Sequence, residues 1–201
     1  QSLSIDVSLH IGSFIAVILY FHKDVINFYQ NKILFIKIFL SSIPVMVIGY
    51  FLVETNFIEK LRNLETIAWT TIIFGILLYI SDKCKLEKNI KDNFNLKSAL
   101  FIGFLQIASL VPGVSRSGIG ITAARFLKFK RIESAKISFL LSIPILAAVS
   151  FFGVKNILLL ENYNFSKLNL IAIFLSFIFS LMTIKYFLKF IQNFNFNFFI
   201  C

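Results

Sequence analysis

Long apolar blocks separated by short charged segments run along the whole chain. Five of them are long enough, or nearly so, to span the roughly 30 Å of membrane hydrocarbon as helices. They are about Ile5–Phe21, Ile33–Val53, Ile67–Ile80, Ile132–Phe152 and Leu168–Phe187. Two contain a proline, which membrane helices tolerate where neighbours satisfy the freed carbonyl. The pattern predicts an all-α polytopic membrane protein with about five transmembrane helices.

A different pattern lies between the third and fourth blocks. Two apolar arms, Ala99–Leu110 and Ile119–Phe126, flank the segment Val111-Pro-Gly-Val-Ser-Arg-Ser-Gly118. Each arm corresponds to roughly 15–18 Å of helix, which is half the thickness of a bilayer. The arms therefore form either one broken spanning helix or a re-entrant helix hairpin.

The distribution of lysine and arginine separates these alternatives. With a hairpin, 15 basic residues, Arg125 among them, fall on one face of the membrane and 4 on the other. With a crossing helix the split becomes 10 to 9. Because cytoplasmic loops are enriched in basic residues, the charges favour a re-entrant hairpin over about residues 98–128 that enters from the cytoplasm. We predict a single integral membrane domain over residues 1–201.

Composition supports the membrane interpretation. Hydrophobic residues make up 58% of the chain and charged residues 15%, whereas a soluble domain carries about 25% charged residues. The net charge of +10 comes from the segments between apolar blocks, so it indicates cytoplasmic loops and not a nucleic-acid partner. Cys84 and Cys201 fit no metal or disulfide spacing, and we assign them no role.

The turn between the two arms contains the residues with the clearest chemistry. Arg116 is the arginine predicted near the bilayer midplane, where a lone charge costs at least about 2.5 kcal/mol and needs a partner. Ser115 and Ser117 add hydroxyls, and Gly113 and Gly118 allow a sharp turn and close approach of a ligand. A helix that starts here adds free N–H groups and the positive end of its dipole. These donors predict an anion site that suits phosphate.

A plainer interpretation of the same residues stays open. Arg116 could pair with a carboxylate on a neighbouring helix, and the Pro-Gly pair could be a simple kink. Asp6 and His10, four residues apart on one helix face, could share a cavity, although helix-internal contacts explain them equally well.

The turn resembles the P-G-x-S-R-S-x-x-T signature of the undecaprenyl-diphosphate phosphatases, the bacitracin-resistance family. The similarity extends over nearly the whole chain in order. It includes Asp6-Val-Ser-Leu-His-Ile-Gly-Ser13, Gln106 with Ala108, Thr122-Ala-Ala-Arg125 and Ser138-Phe-Leu-Leu-Ser-Ile-Pro144.

The resemblance implies hydrolysis of undecaprenyl diphosphate to undecaprenyl phosphate and inorganic phosphate, which recycles a cell-wall lipid carrier and confers bacitracin resistance. It implies a multi-pass protein of the bacterial inner membrane that binds a polyprenyl diphosphate lipid; a homodimer is compatible with the sequence. Arg116 becomes the catalytic residue, and Gln106 and Thr122 join Ser115, Ser117, Gly113 and Gly118 at the substrate phosphate. A divalent cation, Mg or Ca, is also implied, with no metal ligands assigned in this sequence.

Three departures from the family pattern are visible. The threonine of the signature corresponds to Gly120, and Thr122 lies two residues further on, about 200° around a helix. An N-terminal re-entrant loop of the family, with Glu-x-x-x-Glu followed by Ser-Ser and His, is not found between Gln1 and Cys201, and neither is the family's last helix. We therefore expect this stretch alone to bind the diphosphate weakly and to turn over little of it.

Two other functions remain open from the sequence. A transporter or translocase for a phosphorylated lipid also uses half-helices that point their N-termini at an anion. A structural membrane subunit with a paired arginine would tolerate Arg116→Lys, which a bidentate phosphate site would not.

The DNA immediately upstream of the Gln1 codon tests the family expectation directly. We expect an in-frame Glu-x-x-x-Glu and then Ser-Ser and His. A stop codon or unrelated sequence there would contradict the inference of hydrolysis.

Overall fold

The computed structural model describes residues 2–30, 32–55, 57–84, 88–158 and 167–193. These residues form helices almost throughout, and a 3-10 turn, Ile107–Leu110, continues the seventh helix. The helices are α1 Ser2–Tyr20, α2 His22–Gln30, α3 Lys32–Glu54, α4 Phe57–Leu61, α5 Leu64–Asp82, α6 Ile90–Asn93, α7 Leu96–Gln106, α8 Arg116–Phe126, α9 Arg131–Leu158 and α10 Lys167–Asn193.

Among the described residues, four helices are long and apolar enough to cross a membrane. They are Lys32–Glu54, Leu64–Asp82, Arg131–Lys155 and Lys167–Gln192. They confirm four of the five predicted spans, the shortest of which extends at both ends. The remaining predicted span coincides with α1. Its apolar part, Ser4–Tyr20, is shorter than the four candidate spans, so a crossing by α1 stays a prediction. The protein is an all-α polytopic membrane protein.

The chain forms two compact units. One consists of Gln1–Lys32 with Ser142–Phe187, and the other of Ile33–Leu141 with Leu188–Cys201. The predicted hairpin belongs to the second unit. The single membrane domain expected over residues 1–201 stays a prediction.

Small residues bring α1 and α10 together in the first unit. A Cβ on Gly12 would overlap Ile173 O and lie 2.8 Å from Ser176 Cβ, so the helix backbones approach closely. Next to this contact, Ser13 Oγ lies 3.0 Å from both Ser176 Oγ and Ser180 Oγ. Close backbone approach with interhelical hydroxyl contacts is a usual basis of packing between membrane helices, because lipid leaves little hydrophobic driving force.

Glycines also bring α7 against α3 in the second unit. A Cβ on Gly103 would overlap the Ser41 carbonyl, and Leu110 Cδ2 lies 3.3 Å from the Cβ position of Gly49. The contacts advance in the same direction along both helices, so α7 runs parallel to α3. The half-length helix α7 therefore packs alongside the full-length span α3.

The chain doubles back after α7. The rings of Phe94, before α7, and Phe129, after α8, contact each other with centroids 6.2 Å apart. Lys88 N donates to Lys128 O at 3.1 Å, and Lys130 N donates to Lys88 O at 3.2 Å. We call residues 88–94 with 128–130 the base of the hairpin and residues 111–118 its tip. The chain therefore returns as a helix hairpin and does not continue as one broken helix. Its re-entrant course from the cytoplasm stays a prediction.

The close packing of α1 on α10 predicts that Gly12→Ala destabilises the protein. The added methyl group forces the two backbones apart, which costs about 1–3 kcal/mol. Gly75→Ala in α5 is the matched control, because a Cβ there has no neighbour within 4 Å. Thermal unfolding in detergent measures both variants, and an equal midpoint for the two would contradict the packing argument.

Candidate active site

A buried ion cluster fixes the base of the hairpin. Arg125 is fully buried, and its guanidinium donates to Phe129 O at 2.9 Å and to Asp82 O, the latter at 2.6 Å. The Asp82 carboxylate lies 3.2 Å from Arg125 and accepts from Arg131 at 2.8 and 3.0 Å. The cluster ties the end of α5 to the end of α8. Arg125, counted in sequence among the charges of a cytoplasmic loop, is therefore an interior residue.

The tip lies directly against α5. Gly113 has a φ of 93°, and a Cβ there would overlap Thr70 Oγ1 and lie 2.7 Å from Ile67 O. Glycine is needed at this position because the backbone is left-handed and because the loop touches the helix. Thr70 Oγ1 donates to Pro112 O at 2.7 Å. Thr71 Oγ1 lies 3.3 Å from Gly113 O and 2.7 Å from Ile67 O, its nearer acceptor, in its own helix. From Thr70 to Asp82 the hairpin follows α5 for about 18 Å.

Ser115 caps the start of α8. Its side chain accepts from Gly118 N at 3.2 Å, as an N-cap serine does, and its Oγ lies 3.3 Å from Ser117 Oγ. The N–H groups of Arg116 and Ser117, in the first turn, have no acceptor among the described residues. Such N–H groups carry the positive end of the helix dipole. The start of α8 therefore offers hydroxyls and free backbone donors in one place, as predicted.

Arg116 is half-buried beside these donors. Within the described part of the chain its guanidinium takes part in no ion pair or hydrogen bond, in contrast to Arg125 and Arg131. Pairing with a carboxylate on a neighbouring helix, the plainer interpretation of the sequence, is therefore not seen among these residues. A guanidinium without a protein partner next to unbonded N–H groups is suited to receive an oxyanion.

Gln106 and Thr122 lie deeper in the hairpin than the tip residues. Thr122 is buried, and its hydroxyl donates to Gly118 O at 2.8 Å within α8. Gln106 is fully buried, and neither amide atom has a hydrogen-bond partner among the described residues. The structure thus gathers Ser115, Arg116, Ser117 and Gly118 at the helix start and keeps the other two apart. The phosphate-binding roles of all these residues stay predictions.

Gly120, which replaces the signature threonine, is a packing residue here. A Cβ there would lie 2.5 Å from Ser138 Oγ and 3.2 Å from Gln106 Nε2. A threonine would therefore push α8 away from α9 and α7 unless these side chains moved. The buried Ser138 hydroxyl in turn donates to Ser117 O at 3.1 Å, which ties the first turn of α8 to α9.

Two carboxylates of the second unit, Asp82 and Glu133, lie at or near the base of the hairpin. Asp82 serves two arginines there, and Glu133 Oε2 accepts from Ile90 N at 3.3 Å. Asp6 and His10 are exposed on α1, in the other unit. No three His, Cys, Asp or Glu side chains come together as a metal site in the described ranges. The cation implied by the resemblance therefore stays a prediction, and no chemical step through a metal is derived from these residues.

The sequence interpretation missed two groups of residues that shape this site. Arg125 was missed because an arginine at the end of an apolar arm looks like any flanking charge. Thr70 and Thr71 were missed because threonines inside an apolar block usually bond to their own helix. Their adjacency in the block that precedes the hairpin was the available signal.

Comparison with known proteins adds to this geometry. The family model described as Bacitracin resistance protein BacA matches residues 1–201. An undecaprenyl-diphosphatase of Pelagibacter ubique (strain HTCC1062) is 46% identical over 201 residues, which are 100% of this chain and 78% of that protein. An undecaprenyl-diphosphatase of Aliivibrio salmonicida (strain LFI1238) is 40% identical over 211 residues, covering 96% of this chain and 77% of that protein.

A third relative gives the same picture. An undecaprenyl-diphosphatase of Saccharophagus degradans is 38% identical over 208 residues, covering 96% of this chain and 77% of that protein. With a family model that spans every residue, and with the hairpin and its arginine in place, this chain belongs to the bacitracin resistance protein BacA family.

Proposed function

We propose that this protein hydrolyses undecaprenyl diphosphate to undecaprenyl phosphate and inorganic phosphate. The observation that carries the proposal is Arg116, half-buried, without a protein partner in the described ranges, and next to the unbonded N–H groups of α8. The relatives bear the name of this reaction. The product would return to use as a lipid carrier for cell-wall synthesis, and its supply would confer resistance to bacitracin.

The residues at the tip supply charge stabilisation and positioning. Arg116 can donate two parallel hydrogen bonds to phosphoryl oxygens, and the N–H groups of Arg116 and Ser117 add donors along the helix axis. Ser115 and Ser117 can orient the same oxygens through their hydroxyls. Charge spreads over the phosphoryl oxygens as the bond to the leaving group breaks, so fixed donors at this place lower the barrier.

The surroundings suit a substrate with a polyprenyl tail. The helix that contacts the tip, α5, carries exposed apolar side chains along its length, among them Trp69, Ile72 and Ile76. A hydrocarbon tail can lie among such lipid-facing side chains while the diphosphate reaches the tip. This arrangement favours a place in the bacterial inner membrane, where such lipids are used.

A lipid transporter is the second candidate, because half-length helices that present an N-terminus to an anion also occur in transporters. The two functions differ in one simple assay. An enzyme releases inorganic phosphate from a soluble short-chain prenyl diphosphate in detergent, whereas a transporter acts only across a sealed membrane.

Substitution of Arg116 tests the proposed hydrolysis. In the product of the complete reading frame, Arg116→Ala should lower kcat/KM for phosphate release about 100-fold or more, because a transition-state donor is lost. Arg116→Lys should also be severe, since an ammonium cannot make the bidentate contact. Arg62→Ala is the control, because Arg62 is exposed outside the helices.

Two results would overturn the proposal. One is phosphate release that survives both Arg116 substitutions. The other is the absence of release in detergent together with uptake of the lipid by sealed vesicles, which would establish the transporter.

The divalent cation, Mg or Ca, expected from the resemblance is proposed as a separate requirement. Chelation should abolish phosphate release, and either ion added back should restore it. Unchanged release after exhaustive chelation would remove the cation from the proposal and leave the role of Arg116 intact.

A further inference from the structure

Two neighbouring threonines of α5 contact two successive carbonyl groups of the tip. Thr70 Oγ1 lies 2.7 Å from Pro112 O, and Thr71 Oγ1 lies 3.3 Å from Gly113 O. Each contact joins residues 42 positions apart in the chain. They are therefore tertiary contacts between a spanning helix and the loop that precedes Arg116.

Of the carbonyl groups near the Thr70 hydroxyl, that of Pro112 in the loop depends on it most. Thr70 Oγ1 also lies 2.8 Å from Thr66 O and 3.1 Å from Ile67 O, but carbonyls inside a helix already accept backbone N–H groups. Among the described residues, Pro112 O has no donor other than Thr70. At membrane depth a carbonyl without a donor costs several kcal/mol.

The direction of these carbonyls matters for an anion. A carbonyl oxygen is partly negative and repels phosphoryl oxygens, whereas N–H groups and hydroxyls attract them. The contacts with Thr70 and Thr71 place the oxygens of Pro112 and Gly113 on α5. After Val114 come Ser115 and Arg116, which present donors.

We propose that Thr70, assisted by Thr71, is a positioning residue of the phosphate site. It keeps the carbonyls of Pro112 and Gly113 on α5, so that these two acceptors do not face the diphosphate. The inference rests on the proposed function, since it names residues that prepare the site of Arg116. Neither threonine touches the substrate in this arrangement.

Gly113 makes the same contact possible from the loop side. Its left-handed backbone and its missing Cβ let the loop touch Thr70 and Ile67. The position of the loop on α5 is therefore set by a glycine that permits contact and by threonine hydroxyls that hold it.

The test compares Thr70→Val, Thr70→Ser and Thr71→Val with the wild-type product of the complete reading frame. Valine keeps the shape of threonine and removes the hydroxyl, and serine retains it. Thr55→Val is the matched control, because among the described residues the Thr55 hydroxyl bonds only to Phe51 O and Leu52 O, at the end of α3. The readouts are kcat and KM for phosphate release, inhibition by inorganic pyrophosphate, and the thermal midpoint.

We expect Thr70→Val to raise KM and the inhibition constant of pyrophosphate about tenfold, the usual effect of one lost hydrogen bond. Thr71→Val should have a smaller effect in the same direction, because its contact is longer. Thr70→Ser, which retains the hydroxyl, should keep KM and the inhibition constant of pyrophosphate close to the wild-type values. The thermal midpoint of Thr70→Val should fall below that of Thr55→Val, because the Pro112 carbonyl loses its donor; the two constants, and not the midpoint, report the positioning role.

The outcomes separate this inference from the proposed function. If Arg116→Ala abolishes phosphate release while Thr70→Val and Thr71→Val match the Thr55→Val control in both constants, the positioning role is wrong and hydrolysis stands. A Thr70→Val protein whose midpoint falls with both constants unchanged would also overturn it. Phosphate release that is unchanged by the Arg116 substitutions would contradict the proposed function itself.

Discussion

The turn between α7 and α8 contains backbone carbonyl and N–H groups that no helix bonds, and a membrane protein has to satisfy such groups wherever they lie at membrane depth. Most of the turn is satisfied by protein. Val111 N and Val114 N bond within the chain at 3.1 and 3.2 Å, the Ser115 side chain takes Gly118 N, and α5 covers the carbonyls that precede Ser115. At the start of α8, the N–H groups of Arg116 and Ser117 have no acceptor among the described residues. The need to satisfy backbone in a membrane thus produces a site that attracts anions.

The two ends of the hairpin are held by different chemistry. The base uses charge, with one carboxylate shared by two arginines, and removal of one partner from such a buried cluster costs about 3–5 kcal/mol. The tip uses neutral hydroxyls, which leave the charge of Arg116 uncompensated. An ion pair at the tip would have filled the site that the substrate is proposed to occupy. The ion cluster that holds the hairpin most strongly therefore lies at its base, where no ligand has to bind.

Much of this arrangement could be predicted from the sequence. The lengths of the apolar blocks gave the spanning helices, and the distribution of lysine and arginine gave the hairpin, because both depend on the membrane and not on distant contacts. Arg116 with its flanking serines and glycines was recognisable because its chemistry lies within seven residues. Gly120 could not be explained in this way, since the reason for glycine there is Ser138, on another helix. The contacts of Thr70 and the burial of Arg125 likewise join residues more than forty positions apart, and no local pattern encodes them.

The depth of the tip has an electrical consequence. Along α5, Thr70 lies about 18 Å from the end at Asp82 and about 9 Å from the other end, so the tip is well inside the length of a membrane span. A charge moved across the whole membrane changes energy by about 2.3 kcal/mol per 100 mV. A diphosphate that reaches Arg116 crosses part of that field while carrying several negative charges. Under the proposed function, occupation of the site would therefore depend on the membrane potential, without any contact to a regulator.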